Sequence, residues 1–266
     1  MRKKKNIIIF TDLDGSLLNH TSFKFDEIKN YLRDCLKKGI KIIPNSSKTA
    51  LEIQDFINDL NYKVPFISEN GSTIQNLNIY NSDLPGEIKL AKNIDEIQSI
   101  IDKNFSNSLL SNCNFLNDME TNDQSKILGL TNNKLKMALN RKHTVLLDFK
   151  GSEIEKENLK LFCRELDLSL NEGGRVISIG DQVNKALAMK KVLDLLSNFK
   201  EFENVYTIGV GDSPNDLEML NNVEFPCLVK NKNNKNLIIN ENYTISSVEA
   251  PLGWLEVVKI ALEKIH

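Results

Sequence analysis

The chain of 266 residues is 41% hydrophobic and 26% charged, sufficient for sizeable cores inside a solvated surface. Its 34 Lys and Arg against 36 Asp and Glu leave a net charge of −2, so the composition offers no broad positive field to nucleic acid or to an anionic membrane. No stretch approaches the roughly 20 apolar residues of a membrane-spanning helix, and Ile7–Phe10, behind the basic start, is too short for a secretory signal core. A cytoplasmic location is therefore expected, with neither nucleic acid nor membrane as partner. Cys35, Cys113, Cys163 and Cys227 stand apart with no CxxC pairing and read as buried or incidental thiols in a reducing compartment. His20, His143 and His266 are scattered too, so a metal site would have to be built from carboxylates.

Strand and helix patterns alternate from the start. Asn6–Thr11 is a short apolar, β-branched run that reads as a buried parallel strand, followed by the polar loop Asp12-Leu13-Asp14-Gly15. Asp26–Lys38 places Ile28, Leu32, Cys35 and Leu36 at helical spacing, with Gly39 as a C-terminal stop. Ile40–Pro44 is a second strand with Asn45-Ser46-Ser47-Lys48 as its loop, and Thr49 with Glu52 forms a capping box opening a helix to about Leu60. Phe66–Ser68 is a third strand, turned by Glu69-Asn70-Gly71.

After about Asn81 the character changes, with Pro85-Gly86 marking a turn. Helical stretches at Ile94–Lys103, Ser125–Leu130 and Lys134–Leu139 precede a strand at Thr144–Phe149, an amphipathic helix at Glu153–Leu166 and strands at Ser169–Asn171 and Arg175–Ile179. The opening style then returns: helix Asn184–Leu196, strand Val205–Val210, loop Gly211–Asn215, and a helix beginning at Asp216–Leu220. Short strands at Cys227–Val229 and Thr244–Ser246 and a helix at Leu252–Ile265 close the chain. The pattern predicts an α/β protein: a doubly wound, Rossmann-like parallel-sheet core of residues 1–81 and 183–266, interrupted by an inserted α+β domain of residues 82–182. Lys230–Asn242 reads as a polar surface loop; Trp254, and the stripe of Leu187, Met189, Val192, Leu193 and Leu196, read as core packing.

Three polar loops each follow a predicted core strand: Asp12–Gly15, Asn45–Lys48 and Gly211–Asp216. Ligands of open parallel sheets bind beyond the carboxyl ends of the strands, so these loops would converge on one crevice. Carboxylates clustered there repel one another unless a cation neutralises them, and an all-oxygen ligand set suits Mg²⁺.

Asp12-Leu13-Asp14-Gly15-Ser16-Leu17-Leu18 resembles DxDG[ST]L, the first motif of the haloacid dehalogenase-like phosphatase superfamily. Ser46 resembles the second motif, Lys185 the third, and Gly211-Asp212-Ser213-Pro214-Asn215-Asp216 the fourth, GDxxND, all in order. The insert resembles the larger α+β cap of the Cof-like sugar phosphatases. Ser46–Thr49, Pro65–Gly71, Gly173-Gly174-Arg175 and Pro251-Leu252-Gly253-Trp254 resemble the mannosyl-3-phosphoglycerate phosphatase branch. Val176 and Ser178 stand where that branch carries Phe and His, and Leu255 where it tends to carry Asn, which leaves the sugar open.

The resemblance implies a Mg²⁺-dependent phosphatase acting on a small phosphorylated sugar, mannosyl-3-phosphoglycerate first, to give mannosylglycerate, a compatible solute. Asp12 would be the nucleophile and Asp14 the general acid and base; Asp12, Asp212 and the backbone carbonyl of Asp14 would hold the metal. Ser46 and Lys185 would grip phosphate oxygens, and Asp216 would orient Lys185 or a metal-bound water, as would Asn215, although Asn215 is equally explained as the cap of the helix it precedes. Lys48 and Arg175 suit a glycerate carboxylate, or else a solvated loop lysine and a surface ion pair; Glu69 and Asn70 suit sugar hydroxyls, although Asn70-Gly71 alone makes an adequate turn. A glucosyl-3-phosphoglycerate phosphatase, a broader sugar-phosphate phosphatase, a phosphomutase and a non-catalytic binding protein are the alternatives.

Overall fold

The computed structural model describes residues 5–173, 175–232, 237 and 240–265. In chain order the elements are β1 (Asn6–Thr11), α1 (Asp26–Lys37), β2 (Lys41–Pro44), α2 (Ala50–Leu60), β3 (Phe66–Ser68), β4 (Thr73–Gln75) and β5 (Glu87–Lys89). Then follow α3 (Ile94–Asn104), α4 (Asn107–Leu110), β6 (Cys113–Phe115), α5 (Thr121–Leu128), α6 (Asn132–Leu139), β7 (Thr144–Phe149), α7 (Glu153–Glu165), β8 (Leu168–Glu172) and β9 (Ile177–Asp181). The last are α8 (Lys185–Ser197), β10 (Val205–Gly211), α9 (Leu217–Leu220), β11 (Phe225–Leu228), β12 (Thr244–Ile245) and α10 (Leu252–Ile265). None of these helices is long and apolar enough to cross a membrane.

The chain divides into two compact units. The first gathers the residues up to Ser47, Asp55–Ile88 and those from Asn184 onward. Its five-stranded sheet has the order β12-β11-β10-β1-β2, and every pairing is parallel. The run Ile7–Phe10 is buried on both faces of the pleat, as a central strand covered on both sides requires. The β1–β10 register runs from Asn6↔Val205 to Thr11↔Val210, so the two strands end level and their loops leave side by side. From α1, Ile28, Leu32, Cys35 and Leu36 face the core, and from α10, Trp254, Val257, Val258 and Ala261 do.

β3 does not extend that sheet. One parallel bridge, Asn45↔Ile67, carries the line of β2 onto it, after which β3 pairs antiparallel with β4 in a separate three-stranded sheet, β3-β4-β5. The turn between β3 and β4 holds Glu69, Asn70 and Gly71 at φ of 47, 57 and 103°, three left-handed residues in succession. A Cβ on Gly71 would lie 2.2 Å from the Asn184 carbonyl oxygen, so only glycine lets that backbone approach.

The second unit gathers Lys48–Gln54 and Lys89–Val183 around an antiparallel sheet of order β6-β7-β9-β8. β7 alternates by face: Val145 and Leu147 join Ile97, Ile101, Leu159 and Cys163 beneath α3 and α7, while Leu146 joins Leu116, Leu128, Leu135 and Ala138 with α5 and α6. The unit bounds differ from the expected split at 82 in two stretches. Residues 82–88 stay with the first unit because β5 pairs with β4. Residues 48–54 join the second, where the Thr49 hydroxyl donates to the Met137 carbonyl at 2.8 Å.

The helix expected at Ser125–Leu130 runs Thr121–Leu128 and stops at Gly129 (φ 62°), and the strand expected at Arg175–Ile179 runs Ile177–Asp181. β4, β5, β6 and α4, three or four residues each, are too short to show a period. Leu187 is exposed rather than core, since it falls opposite the face of α8 marked by Lys185, Met189, Val192 and Leu196. Gly174 and His266 lie outside the described residues.

All four cysteines are free and buried. Burial pushes each thiol up, Cys163 and Cys227 to about 12, so almost none is thiolate at neutral pH. The native protein should therefore react negligibly with a disulfide reagent and show its full thiol titre only in denaturant. Rapid labelling of the native state would contradict this packing.

Candidate active site

Lys185 opens α8, and the side-chain oxygen of Asn184 caps the helix by accepting from Leu187 N at 2.9 Å. A lysine here opposes the positive end of the helix dipole, and this one is only 1% exposed. Two carboxylates offset both penalties: Nζ donates to Asp12 Oδ1 at 2.6 Å and to Asp216 Oδ1 at 2.7 Å. Burial pushes the ammonium pKa down, but the two carboxylates outweigh it and hold the group above its usual range. The Asn45 side-chain amide donates to the Lys185 carbonyl at 2.9 Å, tying the loop after β2 to the start of α8.

Asp12 follows β1, and Asp212 and Asp216 lie in the loop after β10; oxygens from all three lie within 4.8 Å of one another. The second oxygen of Asp216 accepts from the amides of Asp212 and Ser213, both at 3.1 Å, and from the Ser213 hydroxyl at 2.9 Å. Asp216 is thus committed to orienting its own loop and Lys185. Asp212 accepts from the Ser16 hydroxyl at 2.8 Å and from the Asn231 amide at 2.6 Å. Gly15 (φ 83°) makes this approach possible: a Cβ there would lie 2.5 Å from Asp212 Oδ2.

Three buried carboxylates face one buried ammonium, leaving an excess of negative charge. Burial pushes Asp12 up to about 6, with Asp216 and Asp14 adding to the rise and Lys185 opposing it. Burial, then Asp12 and Asp216, push Asp212 up to about 8 against its hydrogen bonds from Asn231 and Ser16. A hard divalent cation fits this donor set, since it would relieve the excess; Asp12 and Asp212 are the carboxylates placed to hold it. Asp14, two residues beyond Asp12, is partly exposed and its charge reaches Asp12.

Ser46 is buried, and its carbonyl accepts from Asn70 N at 3.0 Å. The Asn215 amide reaches Asn70 Oδ1 at 3.5 Å, which joins the loops after β2, β3 and β10. Asn215 is not the helix cap: Ser213 and Asp216 form the capping box, with Pro214 at the first helical position. Glu69 is buried in the left-handed turn. In the second unit, Lys48 pairs with Glu52 at 3.2 Å, and Arg175, an exposed residue, donates to the Leu128 carbonyl at the C-terminal end of α5, where a cation is favoured.

Sequence reasoning did not assign Ser16, Asn45 and Asn231 to the site. Asn231 falls in the tract read as a surface loop, yet it lies in the loop that leaves β11, a strand of the same parallel sheet. A pocket of about 160 Å³ borders it, with Gly15, Asn19, His20, Lys230 and Lys232 also in its wall.

Residues 9–250 match the family of haloacid dehalogenase-like hydrolases. The chain belongs to that family. The hydrolase is 29% identical to a glucosyl-3-phosphoglycerate/mannosyl-3-phosphoglycerate phosphatase of Persephonella marina, covering 98% of each chain. It is 28% identical to a mannosyl-3-phosphoglycerate phosphatase of Pyrococcus furiosus, over 86% of this chain and 93% of that one. Among solved structures it resembles protein 0175 of Thermoplasma acidophilum, with a TM-score of 0.67 at 15% identity over 97% and 98% of the two chains. It also resembles the sucrose-phosphatase of Synechocystis, with a TM-score of 0.63 at 13% identity over 96% and 98%. These two likenesses speak to the fold.

The raised carboxylates predict a pH signature for the hydrolase. A folded-state pKa above the unfolded value near 3.8 gives stability that is complete below that value and is lost as pH rises through about 6 for Asp12 and about 8 for Asp212. A divalent cation would bind the ionised form of this pair, so its stabilising increment in thermal melts should grow from about pH 5 to about pH 8.5, with proton release on binding. Asp212→Asn should flatten that growth; an increment independent of pH would refute the charge-excess account.

Proposed function

We propose that this hydrolase is a Mg²⁺-dependent phosphomonoesterase that releases phosphate from a glycosyl-3-phosphoglycerate, leaving the glycosylglycerate. The observation that carries the reading is the buried pairing of Lys185 with Asp12, beside Asp212, at the level ends of two adjacent parallel strands. Mannosyl-3-phosphoglycerate is favoured, and the glucosyl epimer stands close behind because relatives named for both span almost the whole chain.

Asp12 attacks phosphorus with a carboxylate oxygen as the ester P–O bond breaks, and Asp14 delivers a proton to the departing alkoxide. The aspartyl-phosphate is then hydrolysed: Asp14 takes a proton from water, the water oxygen bonds to phosphorus, and Asp12 is released with inorganic phosphate. Asp12 must be ionised to attack, and the Lys185 ammonium at 2.6 Å favours that form. Asp12, Asp212 and the Asp14 carbonyl would hold Mg²⁺, which would supply positive charge between the anionic nucleophile and the anionic ester. Ser46 and Lys185 take the remaining phosphate oxygens, while Asp216, with Asn215 beside it, keeps Lys185 and its loop in place. Lys48, Glu69, Asn70 and Arg175 are assigned to the glycerate carboxylate and sugar hydroxyls, and the second unit to specificity. The buried, reduced thiols agree with work in the cytoplasm.

Asp12→Asn and Asp14→Asn should each lower phosphate release on the order of 10³-fold or more, with the fold retained. Full activity of either would overturn its assigned role. A release assay over mannosyl-3-phosphoglycerate, glucosyl-3-phosphoglycerate and hexose phosphates decides the substrate. Preference for the first two supports the proposal; equal rates on all mean a general sugar phosphatase, an isomerised hexose phosphate means a mutase, and no release with any ester means a binding protein. Arg175→Ala should raise KM for the glycosyl-3-phosphoglycerate well above its effect on an aryl phosphate, and equal effects would leave the Leu128 contact as its role.

A further inference from the structure

Trp254, in the first turn of α10, is fully buried, and it is not packing alone. Its indole N–H donates to the Thr11 hydroxyl at 3.0 Å, and that hydroxyl donates to the Asp12 carbonyl at 2.7 Å. Thr11 is itself fully buried as the last residue of β1. The chemistry fixes the direction of the relay. An indole nitrogen only donates, so the Thr11 oxygen must accept from it, and the single hydroxyl proton is left for the Asp12 carbonyl.

The neighbouring main chain is held as well: Asp12 N donates to Val210 O at 2.8 Å, and Thr11 O accepts from Asn45 N at 2.8 Å. The Asp12 residue is therefore gripped at both ends, at its amide by β10 and at its carbonyl by Thr11. A trans peptide is planar, so holding the Asp12 carbonyl also sets the plane and bearing of the following Leu13 N–H. Removing the hydroxyl would leave a buried carbonyl without its donor and free that plane to tilt.

We propose that Trp254 and Thr11 are positioning residues: through the Asp12 carbonyl they hold the Asp12–Leu13 peptide, and with it the Asp12 carboxylate, in the orientation from which it attacks phosphorus. The inference rests on Asp12 as nucleophile. It assigns the lone tryptophan a hydrogen-bonding task that its aromatic bulk alone would not perform. Catalytic groups need their supporting contacts to hold them within fractions of an ångström.

The test uses the full chain with Mg²⁺ and the phosphate ester found active in the release assay. Trp254→Phe keeps most of the ring and loses the N–H; Thr11→Val keeps the shape and loses the hydroxyl; Thr11→Ser keeps the hydroxyl. Thr11→Val and Trp254→Phe should each lower kcat about tenfold or more, well below their melting temperatures, with KM changed little and Thr11→Ser close to the parent. The double variant should be no slower than Thr11→Val alone, since both act through one oxygen. Binding of beryllofluoride, a mimic of the aspartyl-phosphate, should weaken in parallel. Parental kcat in Thr11→Val, or losses that multiply in the double variant, would overturn the relay. If Trp254→Phe fails to fold, the comparison of Thr11→Val with Thr11→Ser still decides it. Asp12→Asn separates the underlying reading: full activity there removes the nucleophile whatever the relay variants do.

Discussion

The first unit is organised around one buried ammonium. Lys185 is placed where a lysine is least welcome, out of water and at the positive end of its own helix, and it is held there because Asp12 and Asp216 bind it from two strand ends. Breaking one arm of such a buried triad strands a charge in a low-dielectric setting and is strongly destabilising, on the order of 3–5 kcal/mol. Yet the triad does not close the local balance, because Asp212 brings a third carboxylate into the same few ångströms. Burial and its acidic neighbours keep that third carboxylate largely protonated at neutral pH, and a cation placed there would favour its ionised form.

The site is made by architecture rather than by overall charge. The chain is almost neutral as a whole, so its capacity to handle an anion comes from where parallel strands stop. The level ends of β1 and β10, Gly15 folded out of the way of Asp212, and Gly71 under the Asn184 carbonyl bring distant loops together. The left-handed turn at Glu69–Gly71 adds a second tie, joining Ser46 and Asn215 through Asn70.

Much of this was legible in the sequence because the features that matter are local. β1 reads as an unbroken apolar run, the Thr49–Glu52 capping box forms as its spacing requires, and the acidic loops follow their strands directly. What escaped was set by tertiary partners. β3 resembles a third parallel strand, but its partner is the hairpin mate β4, and no property of Phe66–Ser68 alone distinguishes the two. Asn231 and Trp254 look like a turn residue and a core residue until Asp212 and Thr11 are seen opposite them. Asn215 was open to reading as a cap because Ser213 and Pro214, which take that task, are equally good turn formers.

The sheet order has a consequence for synthesis. β1 leaves the ribosome first, but its partner on one edge, β10, begins at Val205, after the whole of the second unit has been made. Until then the nascent chain carries β1 and β2 without their central neighbour, and Asp12 without Lys185 or Asp216. The residues of the second unit are complete and able to collapse on their own core while the first waits for its other half. Assembly of the acidic cluster therefore waits until β10 and the loop to Asp216 have been made, and a chain stopped before Val205 lacks both Asp212 and Asp216.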